Sequence, residues 1–165
     1  LQTLDGIPVL VRTLLTIDRV EGIDEIVIAA REDELLPYAE LCKTFGLRKP
    51  VKVIVGGATR TESVLRAALE ASPETEFFAV QDGARPLVTV ELLDEVLDAA
   101  VFAADLLKAA LQSAIAGGAT ITDDCSAVER MGKEVHLTEG SEENIKITTP
   151  VDLAIAEAIL QRRGE

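Results

Sequence analysis

The chain has 165 residues, a length that suits one domain with a core large enough to fold without disulfide bonds or a structural metal. Hydrophobic residues make up 48% of the sequence and charged residues 27%, which excludes wholesale disorder. The formal net charge of -13 repels polyphosphate chains and anionic lipids, so we expect neither a nucleic acid nor a membrane as a partner.

The two cysteines, Cys42 and Cys125, are far apart and form neither a disulfide framework nor a CxxC metal site. No apolar run approaches the roughly 20 residues that a bilayer requires. The first residues also lack the basic and then apolar order of a signal peptide. We therefore expect a reducing, cytoplasmic location. Because an initiating Met is missing, we also expect the chain to begin inside a longer one.

In chain order, apolar residues at three- and four-residue spacing first predict a helix from Pro8 to Asp18. Short β-branched or aromatic runs then predict strands at 25–30, 51–55 and 76–80, and the helical patterns between them lie at 34–45 and 61–70. Strands that alternate with helices need crossover connections. The sequence therefore predicts an α/β fold with a mostly parallel, twisted sheet and helices on both faces.

The second half of the chain contains two consecutive helical patterns, at 90–100 and 101–115, and no Gly, Pro or cap separates them. A single helix from Thr89 to Ile115 would be unusually long for a compact domain, so we expect that a segment is missing between Ala100 and Val101. The remaining predicted elements are strands at 135–137 and 144–148 and a helix from Pro150 to about residue 161.

The first polar motif, GGATRTESV at 56–64, directly follows the strand 51–55. Ligands of open parallel sheets bind outside the carboxyl ends of the strands, and glycines there let backbone amides approach a nucleotide. The alternative is an ordinary turn in which Thr61 caps the next helix. The motif is neither GxGxxG nor the phosphate loop GxxxxGK[ST].

The second motif, QDGARP at 81–86, follows the strand 76–80. The carboxylate of Asp82 could hold Mg²⁺ against substrate phosphates, and Arg85 could bind an anion through two parallel hydrogen bonds. The alternative is a salt bridge between Asp82 and Arg85 that stabilises a turn.

The third polar region includes the segment NIKIT at 144–148, where Asn144, Lys146 and Thr148 share one face. A lysine between these polar residues can bind a phosphate. The alternative is an exposed edge strand with a protective lysine.

Two adjacent aspartates, Asp123 and Asp124, could form a metal pair, but neighbouring side chains seldom point the same way. A cap or turn role for one of them is therefore favoured. His136 is the only histidine and is expected at the surface, so neither a Ser-His-Asp triad nor a histidine-rich metal site is expected.

Four stretches occur in order along nearly the whole chain: GGATRTESV, QDGARPLV, TDDCSAVER and EGSEENIKITTPVDLAIAEAIL. They resemble the successive motifs of the 2-C-methyl-D-erythritol 4-phosphate cytidylyltransferases, CTP-using enzymes of the non-mevalonate isoprenoid pathway. The resemblance implies one Rossmann-like nucleotidyltransferase domain over residues 1–165 and a homodimer. It also implies that a cytidylyl group passes from CTP to methylerythritol phosphate, with release of pyrophosphate and with Mg²⁺ or another divalent cation as cofactor.

The resemblance also implies roles for individual residues. Those that match contacts to CTP are Gly57, Ser63 and Asp82, and those that match contacts to the phosphorylated sugar alcohol are Arg85, Thr122 and Lys146. Asp82 matches the aspartate near the metal, and Lys146 matches the catalytic lysine that positions the substrate phosphate. A reaction of this kind is catalysed mainly by positioning and by cations around the phosphoryl oxygens, which suits a site without a nucleophile.

Two departures from the family are expected. The family begins with a strand and a Gly-rich loop that carries a catalytic arginine and lysine, both of which precede the position of Leu1. It also inserts a dimer arm between the positions of Ala100 and Val101. Two other functions stay open at this point: a ribitol 5-phosphate cytidylyltransferase, and a nucleotide-binding module that has lost catalysis.

Overall fold

A computed structural model describes residues 2–164 of the chain. The strands are β1 (Thr3–Leu4), β2 (Ile7–Pro8), β3 (Ile26–Ala30), β4 (Val51–Val55), β5 (Phe77–Phe78) and β6 (Phe102–Ala103). The helices are α1 (Val9–Arg19), α2 (Leu35–Thr44), α3 (Arg60–Glu70), α4 (Val90–Ala99), α5 (Ala104–Ala116), α6 (Asp124–Glu129) and α7 (Pro150–Arg163), with a 3₁₀ turn at Glu32–Glu34 before α2.

The central ladder is the parallel pair of β3 and β4, in register from Ile26 opposite Val51 to Ala30 opposite Val55. Helix α2 makes the crossover between the two strands, as a parallel connection requires. β1 pairs with β2, and β5 with β6, as antiparallel pairs of two residues each. The predicted α/β class is confirmed.

Helices cover both faces of the parallel pair. Leu14 of α1 and Cys42 of α2 pack against Ile26 and Ile28 on one face. Side chains alternate along a strand, so the other face is left for α3, which contacts both β3 and β4. The carboxyl ends of both strands therefore lie beside the start of α3, where the first polar motif is found.

The chain does not form one helix from Thr89 to Ile115, in agreement with the expected break near Ala100, but the second helix begins at Ala104 and not at Val101. α4 ends at Ala99, and β6 pairs antiparallel with β5 before α5 begins at Ala104. Phe102 pairs with Phe78, and both pack against the buried cluster around α5. This strand pairing and apolar burial outweigh the local helical propensity of the sequence. The interruption falls at the position where a missing segment is expected.

The strand predictions at 135–137 and 144–148 are also wrong, because neither segment is paired in a ladder. Within 144–148 the Ile147 amide donates to the Ala84 carbonyl at 2.8 Å, and Ile147 is buried whereas Lys146 is exposed. The predicted alternation is therefore present without a paired strand. In the other segment, His136 is exposed, as predicted, and Leu137 is 91% exposed.

An open slot of about 1430 Å³ lies beside β3. Ile26, Ile28 and Ala30 line one part of it, and the segment from Phe77 to Gln81 lines another. Among the described residues, no helix is long and apolar enough to span a membrane.

Candidate active site

The loop between β4 and α3 is folded tightly on itself. The Gly57 amide donates to Ser63 Oγ at 3.0 Å, and Ser63 Oγ donates to the Thr59 carbonyl at 2.9 Å. A Cβ atom at Gly57 would lie 2.2 Å from Glu62 Cβ, so the loop requires glycine there. The cap of α3 is Thr59, whose Oγ1 accepts from the Glu62 amide at 3.1 Å. The alternative prediction of a cap at Thr61 is therefore wrong.

Three basic side chains surround the carboxylate of Asp82. Oδ2 lies 3.3 Å from Arg85 Nε and 3.3 Å from Lys146 Nζ. Oδ1 lies 3.9 Å from Arg60 Nε. The predicted salt bridge between Asp82 and Arg85 exists, but it is one contact of a larger cluster. Asp124 also pairs with Arg60, so three cations face two carboxylates, and the remaining positive charge suits an anionic ligand.

The charge state of Asp82 follows from these neighbours. Burial by itself raises the pKa of Asp82, but the charge of Lys146 and hydrogen bonds from Lys146 and Arg85 lower it further than burial raises it. The net pKa lies below its ordinary value, so Asp82 is ionised at neutral pH.

Two hydrogen bonds join the second motif to the segment that carries Lys146. Arg85 Nη1 donates to the Asn144 carbonyl at 2.6 Å, and the Ile147 amide donates to the Ala84 carbonyl at 2.8 Å. Arg85 and Lys146 are predicted to bind the same substrate and lie about sixty residues apart in the sequence. In the fold, both side chains contact the carboxylate of Asp82.

The C-terminal helix anchors the Lys146 segment from the other side. The carboxylate of Glu143 forms ion pairs with Arg162 and with Arg163, the latter at 2.7 Å. Arg163 Nη1 also donates to the Leu87 carbonyl at 3.2 Å. α7 thus connects the Lys146 segment to the end of the second motif.

Thr122 is exposed, and its Oγ1 lies 3.1 Å from Ser126 Oγ. Asp123 caps α6 by accepting from the Ser126 amide at 2.7 Å, which confirms the predicted cap role for one of the paired aspartates. Asp124 points elsewhere: it is buried, and its Oδ2 accepts from Arg60 Nη2 at 2.8 Å. Thr122 is therefore connected to the Asp82 cluster through the chain to Asp124 and the contact of Asp124 with Arg60.

Sequence reasoning missed Arg60 as a site residue, and it considered Asp124 only as half of a metal pair and not as the partner of Arg60. Arg60 is the only basic residue in GGATRTESV, and that was the available signal. Asp124 carried no signal of its own beyond its position beside Asp123.

Among residues 2–164, no group of three or more His, Cys, Asp or Glu side chains lies close enough together to hold a metal ion. Asp82 Oδ1 is 3.9 Å from Arg60, beyond hydrogen-bond distance, and can serve as one ligand. Mg²⁺ is commonly held by one or two carboxylates and by substrate phosphates. With Asp82 as the one carboxylate available among the described residues, substrate phosphates would have to supply most of the ligands of such a metal.

Comparison with known proteins decides the family. The family model described as 2-C-methyl-D-erythritol 4-phosphate cytidylyltransferase matches the chain over residues 1–101 and 99–162. The chain belongs to this family. A relative of that name from Bacillus cytotoxicus is 37% identical, over 97% of this chain and 89% of the relative. Another, from Thermosynechococcus vestitus, is 33% identical, over 97% of this chain and 86% of the relative.

Solved structures of cytidylyltransferases agree with the fold. A 4-diphosphocytidyl-2C-methyl-D-erythritol synthase from Anaerococcus prevotii has a TM-score of 0.90 at 24% identity, with 97% of this chain and 88% of that chain covered. A 2-C-methyl-D-erythritol 4-phosphate cytidylyltransferase from Thermus thermophilus has a TM-score of 0.77 at 25% identity, with 96% and 91% covered. The predicted Rossmann-like nucleotidyltransferase fold is confirmed, and the chain is a cytidylyltransferase, a nucleotidyltransferase enzyme.

The match to the cytidylyltransferase family is interrupted at one place. The two matched stretches meet at residues 99–101, between α4 and β6. The alignment with the Bacillus cytotoxicus relative spans 202 positions although this chain has 165 residues, so that relative has residues without a counterpart here.

Proposed function

We propose that the chain transfers a cytidylyl group from CTP to 2-C-methyl-D-erythritol 4-phosphate, releasing pyrophosphate, in the synthesis of isoprenoid precursors. The observation that carries the proposal is the convergence of Arg85 and Lys146 on Asp82 in a chain of this family. Arg60 adds a third cation from the loop after β4. Such a cluster binds and neutralises phosphoryl oxygens.

In the proposed reaction, a phosphate oxygen of methylerythritol phosphate forms a bond to the α-phosphorus of CTP, and the bond from that phosphorus to the β-phosphate oxygen breaks. Pyrophosphate carries away the electron pair of the broken bond. Lys146 and Arg85 hold the attacking phosphate, Thr122 contacts the sugar alcohol, and Gly57 and Ser63 hold the cytidine portion. Positioning and charge do most of the catalytic work in such transfers.

We include a divalent cation, Mg²⁺, in this proposal. When bound, it would neutralise charge on the phosphates, and Asp82 would be its protein ligand. The chain carries a net charge of -13 and would repel the anionic CTP. A bound cation and the basic cluster would reverse this repulsion locally.

We also propose that residues outside this sequence complete the domain. A further strand would fill the slot beside β3, because within residues 2–164 β3 is paired only with β4 and its other edge is open to a partner strand. Apolar side chains of that strand would suit a cleft lined by Ile26, Ile28 and Phe78. A second segment, between Ala100 and Val101, would form an arm that joins two copies as a homodimer, in the cytoplasm. Intact-mass spectrometry of the protein from its natural source tests this, and a mass near 17.6 kDa would contradict it.

The activity is tested by pyrophosphate release from CTP and Mg²⁺ with either of two acceptors. We expect turnover with methylerythritol phosphate and little with ribitol 5-phosphate. Preference for ribitol phosphate would assign the protein to the alternative reaction. Binding of CTP without turnover of either acceptor would favour a nucleotide-binding module that has lost catalysis.

A further inference from the structure

We infer that Arg60 and Asp124 are positioning residues. Their ion pair connects the loop between β4 and α3, which contains Gly57, to the segment that carries Thr122. The inference rests on the proposed function. It assigns a role to the contact between these two side chains, which the substrate contacts given above leave unexplained.

The pair joins two elements that are distant in sequence. Arg60 is the first residue of α3 and directly follows the cap at Thr59. Asp124 is the first residue of α6, two positions after Thr122. Arg60 Nη2 donates to Asp124 Oδ2 at 2.8 Å, while Arg60 Nε faces Asp82 Oδ1 at 3.9 Å. One guanidinium therefore lies between Asp82 and Asp124.

Burial makes this contact costly to maintain. Asp124 is 5% exposed, and its second oxygen, Oδ1, is buried without a hydrogen-bond partner among the described residues. A buried carboxylate with an unpaired oxygen weakens a fold unless its position serves another purpose. The hydrogen bond with Asp124 also raises the pKa of Arg60, so the arginine keeps its charge beside the site.

The pair is not what holds α6 in the domain. Ala127 and Val128 of α6 are 1% and 2% exposed and pack against Leu107 and Leu111 of α5. This apolar burial stabilises the position of the helix independently of the ion pair. The ion pair adds the direction of the Arg60 guanidinium and the placement of the start of α6, two residues after Thr122.

That placement bears on the reaction. The cytidine held by the loop of Gly57 and the sugar phosphate held near Thr122 must meet at one phosphorus atom. An error of about 1 Å between reacting groups can cost on the order of 100-fold in rate. A fixed contact between the two binding segments limits such errors, because Arg60 belongs to one segment and Asp124 to the other.

The test compares Asp124→Asn and Arg60→Lys with a matched control, Asp18→Asn. Asp18 is 6% exposed and forms a 3.1 Å ion pair with Arg48, away from the Asp82 cluster. We expect Asp124→Asn and Arg60→Lys to lower kcat/KM for methylerythritol phosphate by on the order of tenfold or more, with the KM for CTP changed less than about threefold. Asp18→Asn should leave both parameters near those of the wild type below its unfolding temperature.

The double variant Arg60→Lys/Asp124→Asn separates a coupled pair from two independent effects. We expect its loss in kcat/KM to be close to that of one single variant. Wild-type kinetics in Asp124→Asn, or an equal loss in folded Asp18→Asn, would overturn the positioning role while the proposed function stands. If the unsubstituted protein releases no pyrophosphate with either acceptor, the proposed function fails and this inference fails with it.

Discussion

Replacing Lys146 by alanine tests the candidate site most directly. The Lys146 side chain is 43% exposed, and its Nζ forms one ion pair, at 3.3 Å, with Asp82. A half-exposed pair of this kind contributes about 0–1 kcal/mol to folding stability. The contact to a substrate phosphate is a hydrogen bond between charged groups, which is worth about 1.5–3 kcal/mol. Lys146→Ala should therefore lower kcat/KM by about 10- to 150-fold and scarcely change stability.

The assay is pyrophosphate release at saturating CTP with varied methylerythritol phosphate, together with thermal unfolding of each variant. Lys52→Ala is the matched control, because Lys52 is an exposed lysine whose Nζ donates to the Glu70 carbonyl at 2.6 Å, outside the Asp82 cluster. We expect the control to keep wild-type kinetics. Wild-type turnover in Lys146→Ala would refute the assignment of this lysine to the substrate phosphate.

Three further predictions concern the metal, the pH dependence and the core. Asp82→Asn should weaken the dependence of turnover on Mg²⁺, and an unchanged metal titration would leave Asp82 as a salt-bridge residue only. Burial raises the pKa of Asp18, but hydrogen bonds from Lys49 and Arg48 lower it overall. The ionised Asp18 carboxylate therefore stabilises the fold at any pH above its unfolded-state pKa. This stabilisation is lost as the pH falls through the lower, folded-state pKa. The free energy of unfolding measured in urea should therefore be about 2–4 kcal/mol lower for Asp18→Asn than for the wild type at neutral pH, and the two values should converge in acid. A difference that persists in acid would contradict the stabilising role of the carboxylate. Leu111 is fully buried, with 0% exposure, in the apolar cluster around α5. Leu111→Ala should lower the free energy of unfolding by about 2–5 kcal/mol in the same measurement. A decrease below about 1 kcal/mol would mean that the neighbouring side chains fill the cavity.

Several parts of the fold could be predicted from local patterns. β4 begins and ends where its β-branched run does, and β3 begins one residue later than predicted. Pro150 opens α7 behind the cap at Thr149. These features depend on side-chain spacing, capping and chain stiffness within a few residues, so the sequence carries them directly.

The failures share another cause. The 89–115 pattern is helical in spacing, but Phe102 pairs with Phe78 across more than twenty residues. The segment 144–148 alternates as a strand, but no neighbouring strand pairs with it along a ladder. In both places the outcome depends on a partner that is distant in sequence, and local propensity holds no information about such a partner.

The candidate site divides in the same way. The residue types at Asp82, Arg85 and Lys146 allowed a phosphate-binding chemistry but also a salt bridge and a protective surface lysine, and the resemblance to the family favoured phosphate binding. Only the tertiary structure placed those three side chains on one carboxylate and inserted Arg60 between Asp82 and Asp124. A contact between charges from distant segments is set by how helices and loops pack in three dimensions, so the sequence determined which charged groups are available and the fold determined their geometry.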